Sequence, residues 1–286
     1  DLDMIRVSSP THQPDPGAAR PAAAPSLEVL VATVDQHDSS LISRMNLRTS
    51  AIILNQAACF GRAVISTEHG DIEYITVPQR GVGRNRNMAL IHSKADICLF
   101  ADDDVTYFDD YSVAIQKAFA AHLDAGVIIF NFDPVNTLRP HTPIKHVHQV
   151  GFHNALRYAT YQIAVRREVI LRHNIFFPLI FGGGADYSAG EDSMFLADCL
   201  RKGIKIVAVP ETLGVVDMRS SSWFTGFHSK YLFDKGVFFA ALSRTGAVPL
   251  ALQFALRHHN LFRDEYSRPR MIRIMLKGIR HFRRVT

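Results

Sequence analysis

The chain has 286 residues, 47% of them hydrophobic, which is ordinary for a soluble globular protein and enough for one large α/β domain with appendages, or for two small domains. Its three cysteines, Cys59, Cys98 and Cys199, are far apart in sequence, which excludes a metal-type Cys spacing and a disulfide framework and points to a reducing compartment. The formal charge of +5 is concentrated in Arg268 to Thr286, where seven Lys and Arg occur without an acid; the rest of the chain holds 25 basic against 27 acidic residues, so no nucleic-acid partner is expected for the body.

Residues 1–25, with Gln13-Pro14-Asp15-Pro16-Gly17 and Ala22-Ala23-Ala24-Pro25, read as a disordered lead-in that buries little. Asp1 to Met4 lack the basic-then-apolar layout of a signal peptide. Leu27 to Ala32 predict a strand, Ser40 to Asn46 a helix, and Ala51 to Leu54 a second strand. Val64-Ile65-Ser66 and Ile72 to Val77 flank Glu68-His69-Gly70-Asp71 as a hairpin. Gly81-Val82-Gly83 opens a helix to His92, and Asp96 to Ala101 is a buried strand ending in Asp102-Asp103-Asp104. Tyr111 to Leu123 is a helix and Val127 to Phe132 another buried strand. Asn136 to Val150 is an excursion, Tyr161 to Arg166 a strand, and Phe181 to Gly184 a flexible loop. Gly190 starts an amphipathic helix through Lys202, and Lys205 to Val209 is a strand that Pro210 ends. After Val216 the pattern turns helical, at 230–243, 250–258 and 271–282. The apolar stretch Val237 to Leu256 is broken by Arg244, Gly246 and Pro249, so it predicts two packed helices and no membrane span.

Alternating strands and helices imply an α/β fold with a mostly parallel sheet. Three divisions are expected: the lead-in at 1–25, an α/β domain over 26–216, and a helical C-terminal region over 217–286.

Three stretches carry chemistry. Adjacent carboxylates are costly to desolvate together, so Asp102-Asp103-Asp104 at a strand's carboxyl end points to a crevice and a hard cation such as Mn²⁺ or Mg²⁺. Asp102 and Asp104 divide naturally between a ribose hydroxyl and the metal. Gly81-Val82-Gly83-Arg84-Asn85-Arg86-Asn87 allows close backbone approach at a helix start that attracts anions, although it is neither a Walker loop nor Gly-x-Gly-x-x-Gly. Gly190-Glu191-Asp192 puts two carboxylates in a first helical turn, where one could deprotonate a hydroxyl. His141, His146, His148 and His153 cluster without zinc-site spacing and read first as surface or acceptor-groove groups; the lesser alternative is an additional cation site at His146 and His148, which would share one face of an alternating strand.

In order and spacing these pieces resemble a family 2-type glycosyltransferase of the GT-A fold, a Rossmann-like sheet flanked by helices, here with a helical C-terminal extension. The resemblance covers about residues 27–216. It implies Thr33 at the nucleotide-facing end of the first strand, Asn55 near the base in place of the commoner Asp, and Arg86 at the diphosphate. It likewise implies Asp102 and Asp103 at the nucleotide-sugar, Asp104 and His228 at Mn²⁺ or Mg²⁺, and Asp192 as catalytic base with Glu191 beside it. Trp223 is the candidate acceptor-stacking residue. The implied reaction is metal-dependent, inverting transfer from a nucleotide-sugar, by default a UDP-sugar, to a glycan or lipid-linked acceptor in surface polysaccharide synthesis. The Gln-x-x-Arg-Trp motif of processive members is missing, which argues for non-processive transfer.

Two other readings compete. Asp102-Asp103-Asp104-Val105-Thr106 also fits the Asp-x-Asp-x-Thr pattern of haloacid-dehalogenase-like phosphatases, but there the pair closes the first core strand, whereas here several strands precede it. A non-catalytic nucleotide-sugar-binding relative is the other. In the tail, Met271, Ile274, Met275, Gly278, Ile279 and Phe282 share one helical face and Arg273, Lys277, Arg280 and Arg284 another. That pattern suits either a helix on an anionic membrane surface, through 268–286, or a basic helix packed on protein. The expected location is cytoplasmic, peripheral on the inner face of the membrane if the tail binds lipid.

Overall fold

The computed structural model describes residues 24–136, 142–218 and 228–285. The lead-in up to residue 23, His141 and Trp223 lie outside the described residues.

Ten strands form one sheet in the order β3-β4-β2-β1-β5-β9-β7-β10-β6, with β8 also beside β10. They are β1 (Leu27–Val34), β2 (Ser50–Gln56), β3 (Gly61–Thr67), β4 (Gly70–Val77), β5 (Ile97–Asp102), β6 (Val105–Tyr107), β7 (Val127–Val135), β8 (His148–Gln149), β9 (Ile163–Arg166) and β10 (Ile206–Asp217). Strands β1, β2, β4, β5, β7 and β10 run in one direction; β3, β6, β8 and β9 oppose them. The predicted hairpin is β3–β4, paired from Gly61↔Thr76 to Thr67↔Gly70.

Apolar side chains alternate between two faces because successive residues of a strand point opposite ways. Val29, Val31, Ile53 and Leu99 enter one core with Leu41 of α1 (Ser40–Arg44) and Ile115 and Phe119 of α3 (Tyr111–Ala121). Leu30, Ile52, Leu54 and Phe100 enter the other with Leu90 of α2 (Val82–His92) and Phe195 and Cys199 of α5 (Glu191–Arg201). Burial on both faces explains why these strands read as nearly continuous apolar runs.

From β1 the chain steps outward to β2 and β4, then α2 carries it back to β5 on the other side of β1. The carboxyl ends of β1 and β5 therefore adjoin where the strand order reverses, with Ala32 opposite Asp102. In open α/β sheets this reversal opens a crevice for ligands.

Helices α6 (Ser229–Leu242), α7 (Ala247–His258) and α8 (Arg268–Val285) build a third core, which also takes in Phe181 and Met194 from the α/β part. Gly236 and Gly278 let α6 and α8 touch along their backbones. A Cβ at Gly236 would lie 2.0 Å from Met275 O, and one at Gly278 2.1 Å from Phe233 O.

Several expectations change. β10 does not end at Pro210 but runs to Asp217; the register against β7 shifts between Ala208 and Thr212, and the residue without an N–H sits in that irregularity. The strand expected from Tyr161 begins at Ile163 after a 3₁₀ turn at Thr160–Gln162, and a short helix α4 (Arg167–Arg172) follows it. α7 starts at Ala247, so Pro249 falls in its first turn, where no helical N–H bond is lost. The apolar face of α8 is not available to lipid: Met271, Met275, Gly278 and Ile279 are buried in the α6–α8 core, with Ile274 and Phe282 packed against it. Its basic residues stay exposed. Among the described residues, no helix is long and apolar enough to cross a membrane.

Candidate active site

The three carboxylates that leave β5 part in three directions. Asp102 accepts a 2.6 Å hydrogen bond from Arg86 Nη2. Asp103 accepts one of 2.5 Å from the Thr33 hydroxyl at the end of β1. Asp104 has no cationic partner among the described residues. Partial desolvation of its carboxyl, then the charges of Asp102, Asp103 and Asp217, push its pKa up to about 7. Two of the three acids are thus answered from within the chain, and the third has the electrostatic deficit that a hard divalent cation would satisfy.

Arg86 reaches Asp102 because α2 passes under the crevice. Its side chain is 5% exposed, and Nη1 donates to Glu191 Oε1 at 3.0 Å. The guanidinium carbon lies 5.5 Å from the ring centre of Phe177. Burial disfavours its charge, but the two carboxylates outweigh burial and hold it protonated. Its neighbours in the Gly81–Asn87 segment serve the fold. Asn85 Nδ2 donates to Leu54 O at 2.7 Å, and Asn87 exchanges two 2.8 Å bonds with the backbone of Phe177. Val82 N donates to Gly183 O at 2.9 Å. The segment expected to cradle phosphate is therefore a hub joining β2, β5 and the 177–191 region.

At the start of α5, Gly190 has φ of +121°, and a Cβ there would lie 2.5 Å from the ring of Phe238 on α6. Glu191 is held on both oxygens: Oε1 by Arg86 and Oε2 by Gly190 N at 3.1 Å. Asp192 is partly exposed and accepts only the Ser193 N–H, at 2.6 Å, among the described residues. Burial and the charge of Glu191 push Asp192 up to about 6, against the opposing pull of the Ser193 N–H, Arg86 and Lys235. The 181–190 loop is tied down rather than free. Gly182 N donates to Tyr187 O at 2.9 Å, Tyr187 N to Ile180 O at 3.0 Å, and Ser188 N to Asp234 of α6 at 3.0 Å.

Two further residues belong to this constellation that sequence reasoning passed over. Tyr161 feels Asp102, Asp104 and Asp192 together; burial, then these charges, raise its phenol to about 12. Lys235 on α6 feels Asp192 and Glu191. Neither lies in a motif, and only tertiary packing brings them in.

The remaining candidates fall as follows. Asn55 is buried and clamps the backbone of Gln36, Oδ1 accepting from its N–H at 2.9 Å and Nδ2 donating to its carbonyl at 2.8 Å. Its amide shapes the loop after β1. His228 caps α6, its Nδ1 accepting from Tyr231 N at 3.3 Å. His148 has both ring nitrogens engaged, by His146 O and Tyr158 Oη at 3.0 Å each, so the His146/His148 pair offers no cation site. Among the described residues, no group of three or more His, Cys, Asp or Glu converges on one metal position.

A sequence model described as "Glycosyl transferase family 2" matches residues 48–178, which span β2, the Gly81–Asn87 segment and the Asp triplet. Over these residues the chain is similar to glycosyl transferase family 2. The family 2 match stops before Glu191 and Asp192, and Glu191 is joined to the matched segment through Arg86. No curated protein matches the chain. Solved structures do, with S. aureus TarS among them. TarS 1–349 in complex with UDP-GlcNAc aligns with TM-score 0.62 and 13% identity over 89% of this chain and 81% of that one. The same fragment in complex with UDP gives 0.55 and 14% over 85% and 75%, and a further crystal structure of S. aureus TarS gives 0.55 and 14% over 82% and 43%. At such identities the likeness is one of fold, and the fold is GT-A.

Proposed function

We propose that this glycosyltransferase moves a sugar from a UDP-sugar to a hydroxyl of a glycan or lipid-linked acceptor in surface polysaccharide synthesis. Transfer is inverting and non-processive, over a 26–216 transferase unit completed by the 217–286 helices. The observation that carries this reading is the Arg86 bridge, which fixes the strand-end acid Asp102 and Glu191, the neighbour of Asp192 in the first turn of α5, on one cation. The TarS complexes with UDP-GlcNAc and UDP support the donor class by analogy of fold.

Asp192 takes the proton from the acceptor hydroxyl. The acceptor oxygen then forms its bond to the anomeric carbon as the bond to the donor's diphosphate oxygen breaks on the opposite face, so the configuration inverts. Glu191 acts as a positioning residue: both its oxygens are held, and it aligns Arg86. Arg86 contributes positive charge behind Asp102 as the diphosphate leaves. Asp104, with Asp102 beside it, would hold Mn²⁺ or Mg²⁺, which when bound offsets charge on the leaving diphosphate. His228 is retained as a further ligand candidate and Trp223 as an acceptor contact. Thr33 and Asp103, hydrogen-bonded to each other, form the wall beside the nucleotide, and Asn55 shapes that wall through Gln36.

The test is a donor screen: thermal stabilisation and hydrolysis with UDP-Glc, UDP-Gal, UDP-GlcNAc, UDP-GalNAc and GDP-sugars, with and without Mn²⁺. A Mn²⁺-dependent response to a UDP-sugar is expected; silence across the panel would sink the proposal. The phosphatase alternative needs Asp102 as a nucleophile, whereas Asp102 is ion-paired to Arg86. An acid-labile phosphoenzyme lost in Asp102→Asn would reinstate it.

A further inference from the structure

The 186–190 turn that leads into Glu191 and Asp192 is held almost residue by residue from the C-terminal helices. Lys230 Nζ donates to Asp186 O at 3.0 Å. Tyr187 Oη and His281 Nε2 of α8 share a hydrogen bond of 3.2 Å. Ser188 N donates to Asp234 Oδ2 at 3.0 Å, and the Phe238 ring closes on Gly190. Lys230, Asp234 and Phe238 follow one another in four-residue steps on α6, so they form one stripe along the helix, and that stripe lies on the turn.

The ion pair in this stripe is poorly built to stabilise α6 itself. Lys230 stands in the first helical turn, where the dipole disfavours a cation, and it precedes its acid, the weaker order for such a pair. Asp234 accepts from Lys230 Nζ at 2.7 Å, yet its side chain is only 4% exposed, and Oδ1 is buried without a hydrogen-bond partner among the described residues. A carboxylate desolvated with one oxygen unanswered contributes little net stability. What it supplies is a fixed acceptor: Oδ2 takes the Ser188 N–H, four residues before Asp192. Lys230 ties that same oxygen to the carbonyl of Asp186, so two backbone groups of the turn are fastened to one point on α6.

We propose that Asp234 is a positioning residue for Asp192: with Lys230 it sets the 186–190 turn, and the turn sets where the Asp192 carboxyl stands. This rests on the reading of Asp192 as the base. It goes beyond that reading by naming the residue, outside the α/β part, that places the base.

The experiment uses the full chain and the variants Asp234→Leu, Asp234→Asn and Lys230→Met. Amide exchange over 186–190, followed by mass spectrometry, should be about tenfold faster or more in Asp234→Leu, and Asp234→Asn should restore most of the protection because its carbonyl still accepts from Ser188. The raised carboxyl of Asp192, followed by ¹³C NMR, should titrate closer to the ordinary carboxylate range in Asp234→Leu, since a loosened turn readmits water to it. With the UDP-sugar that responds in the donor screen, kcat should fall in Asp234→Leu while donor KM and UDP·Mn²⁺ binding hold, and Asp234→Asn should regain most of the rate. Unchanged exchange, faster exchange with the Asp192 titration unmoved, or a parallel loss of UDP binding in a folded variant would overturn the proposal. If Asp234→Leu does not fold, Lys230→Met, which changes a side chain 58% exposed, carries the same two measurements; faster exchange and a lowered Asp192 titration are expected, and no change in either overturns the proposal. Silence across the donor screen removes the transferase reading, and the exchange and the titration then still decide the role of Asp234.

Discussion

Arg86 and Glu191 are 105 residues apart in sequence and 3.0 Å apart in space. Through that contact, and the 2.6 Å bond to Asp102, one buried guanidinium holds together the carboxyl end of β5 and the first turn of α5. Removing it leaves Glu191, whose side chain is 14% exposed, without its cation; Asp102, at 34%, is relieved by solvent. Arg86→Met should cost about 3 kcal/mol, the low end for a broken buried pair. Arg86→Lys should recover only part, since an ammonium lacks the fork that spans both acids. Urea unfolding of the two variants checks this.

Asp192→Asn should lower transfer by a factor of about 10² to 10⁴, the usual contribution of a general base. UDP binding with Mn²⁺ should stay near wild type, because Asp192 touches neither Arg86 nor the Asp triplet. Single-turnover rates alongside calorimetry separate the two effects. A parallel loss of nucleotide binding would move Asp192 to the donor side.

The acid limb of the pH profile follows from the elevated carboxyl of Asp192. Protonated, it accepts nothing, so kcat/KM should rise with pH, reach half its plateau near 6 and fall about tenfold per unit below that. Loss of a nearby cation should move the limb up, so Lys235→Met should shift it to higher pH. A metal at Asp104 must displace a proton from a group raised to about 7, so Mn²⁺ affinity should weaken as pH falls through that value.

Gly278→Ala tests the contact between α6 and α8. With Phe233 O only 2.1 Å from the added carbon, the helices must separate, at a cost of about 1–3 kcal/mol. Limited proteolysis should then release α8, and activity should decline with it, since α6 presses on the first turn of α5.

The basic face of α8 predicts attraction to anionic vesicles without insertion, because its apolar face is already covered. Binding should vanish as salt shortens the screening length from about 8 Å at physiological strength toward 3 Å at 1 M. Reversing Arg273, Lys277 and Arg280 to Glu should abolish it without disturbing the α6–α8 core; salt-resistant binding would point to another surface.

The buried strands β1, β2, β5 and β7 were legible because each is an apolar run ended by a turn signal, whereas the short strands β6 and β8 were not read; the Asp triplet stood out because three acids after such a run are costly to desolvate together. The first turn of α5 was legible for a similar reason, since Gly190 followed by two acids announces a helix start. What the residues could not reveal was partnership. Arg86 reads as a phosphate ligand until Glu191 is brought beside it, and Asn55 as a base contact until Gln36 closes on its amide. Tyr161 and Lys235 carry no local signal, because a single tyrosine or a lysine on an apolar helix gains its meaning only from what packs against it. The Pro210 expectation failed because a strand can pass a proline where its ladder shifts register.

The close backbone contact between α6 and α8 has a bearing on biosynthesis. Met275 and Gly278 are needed to seat α6, and α6 is needed to hold the turn at Gly190 from which Asp192 projects. A chain emerging from the ribosome can assemble its strands in order, yet the Gly190 turn and Asp192 acquire their final setting only after α8 has emerged. The nascent protein would therefore pass through a stage in which the crevice at the carboxyl ends of β1 and β5 is built and the first turn of α5 is not yet held in place.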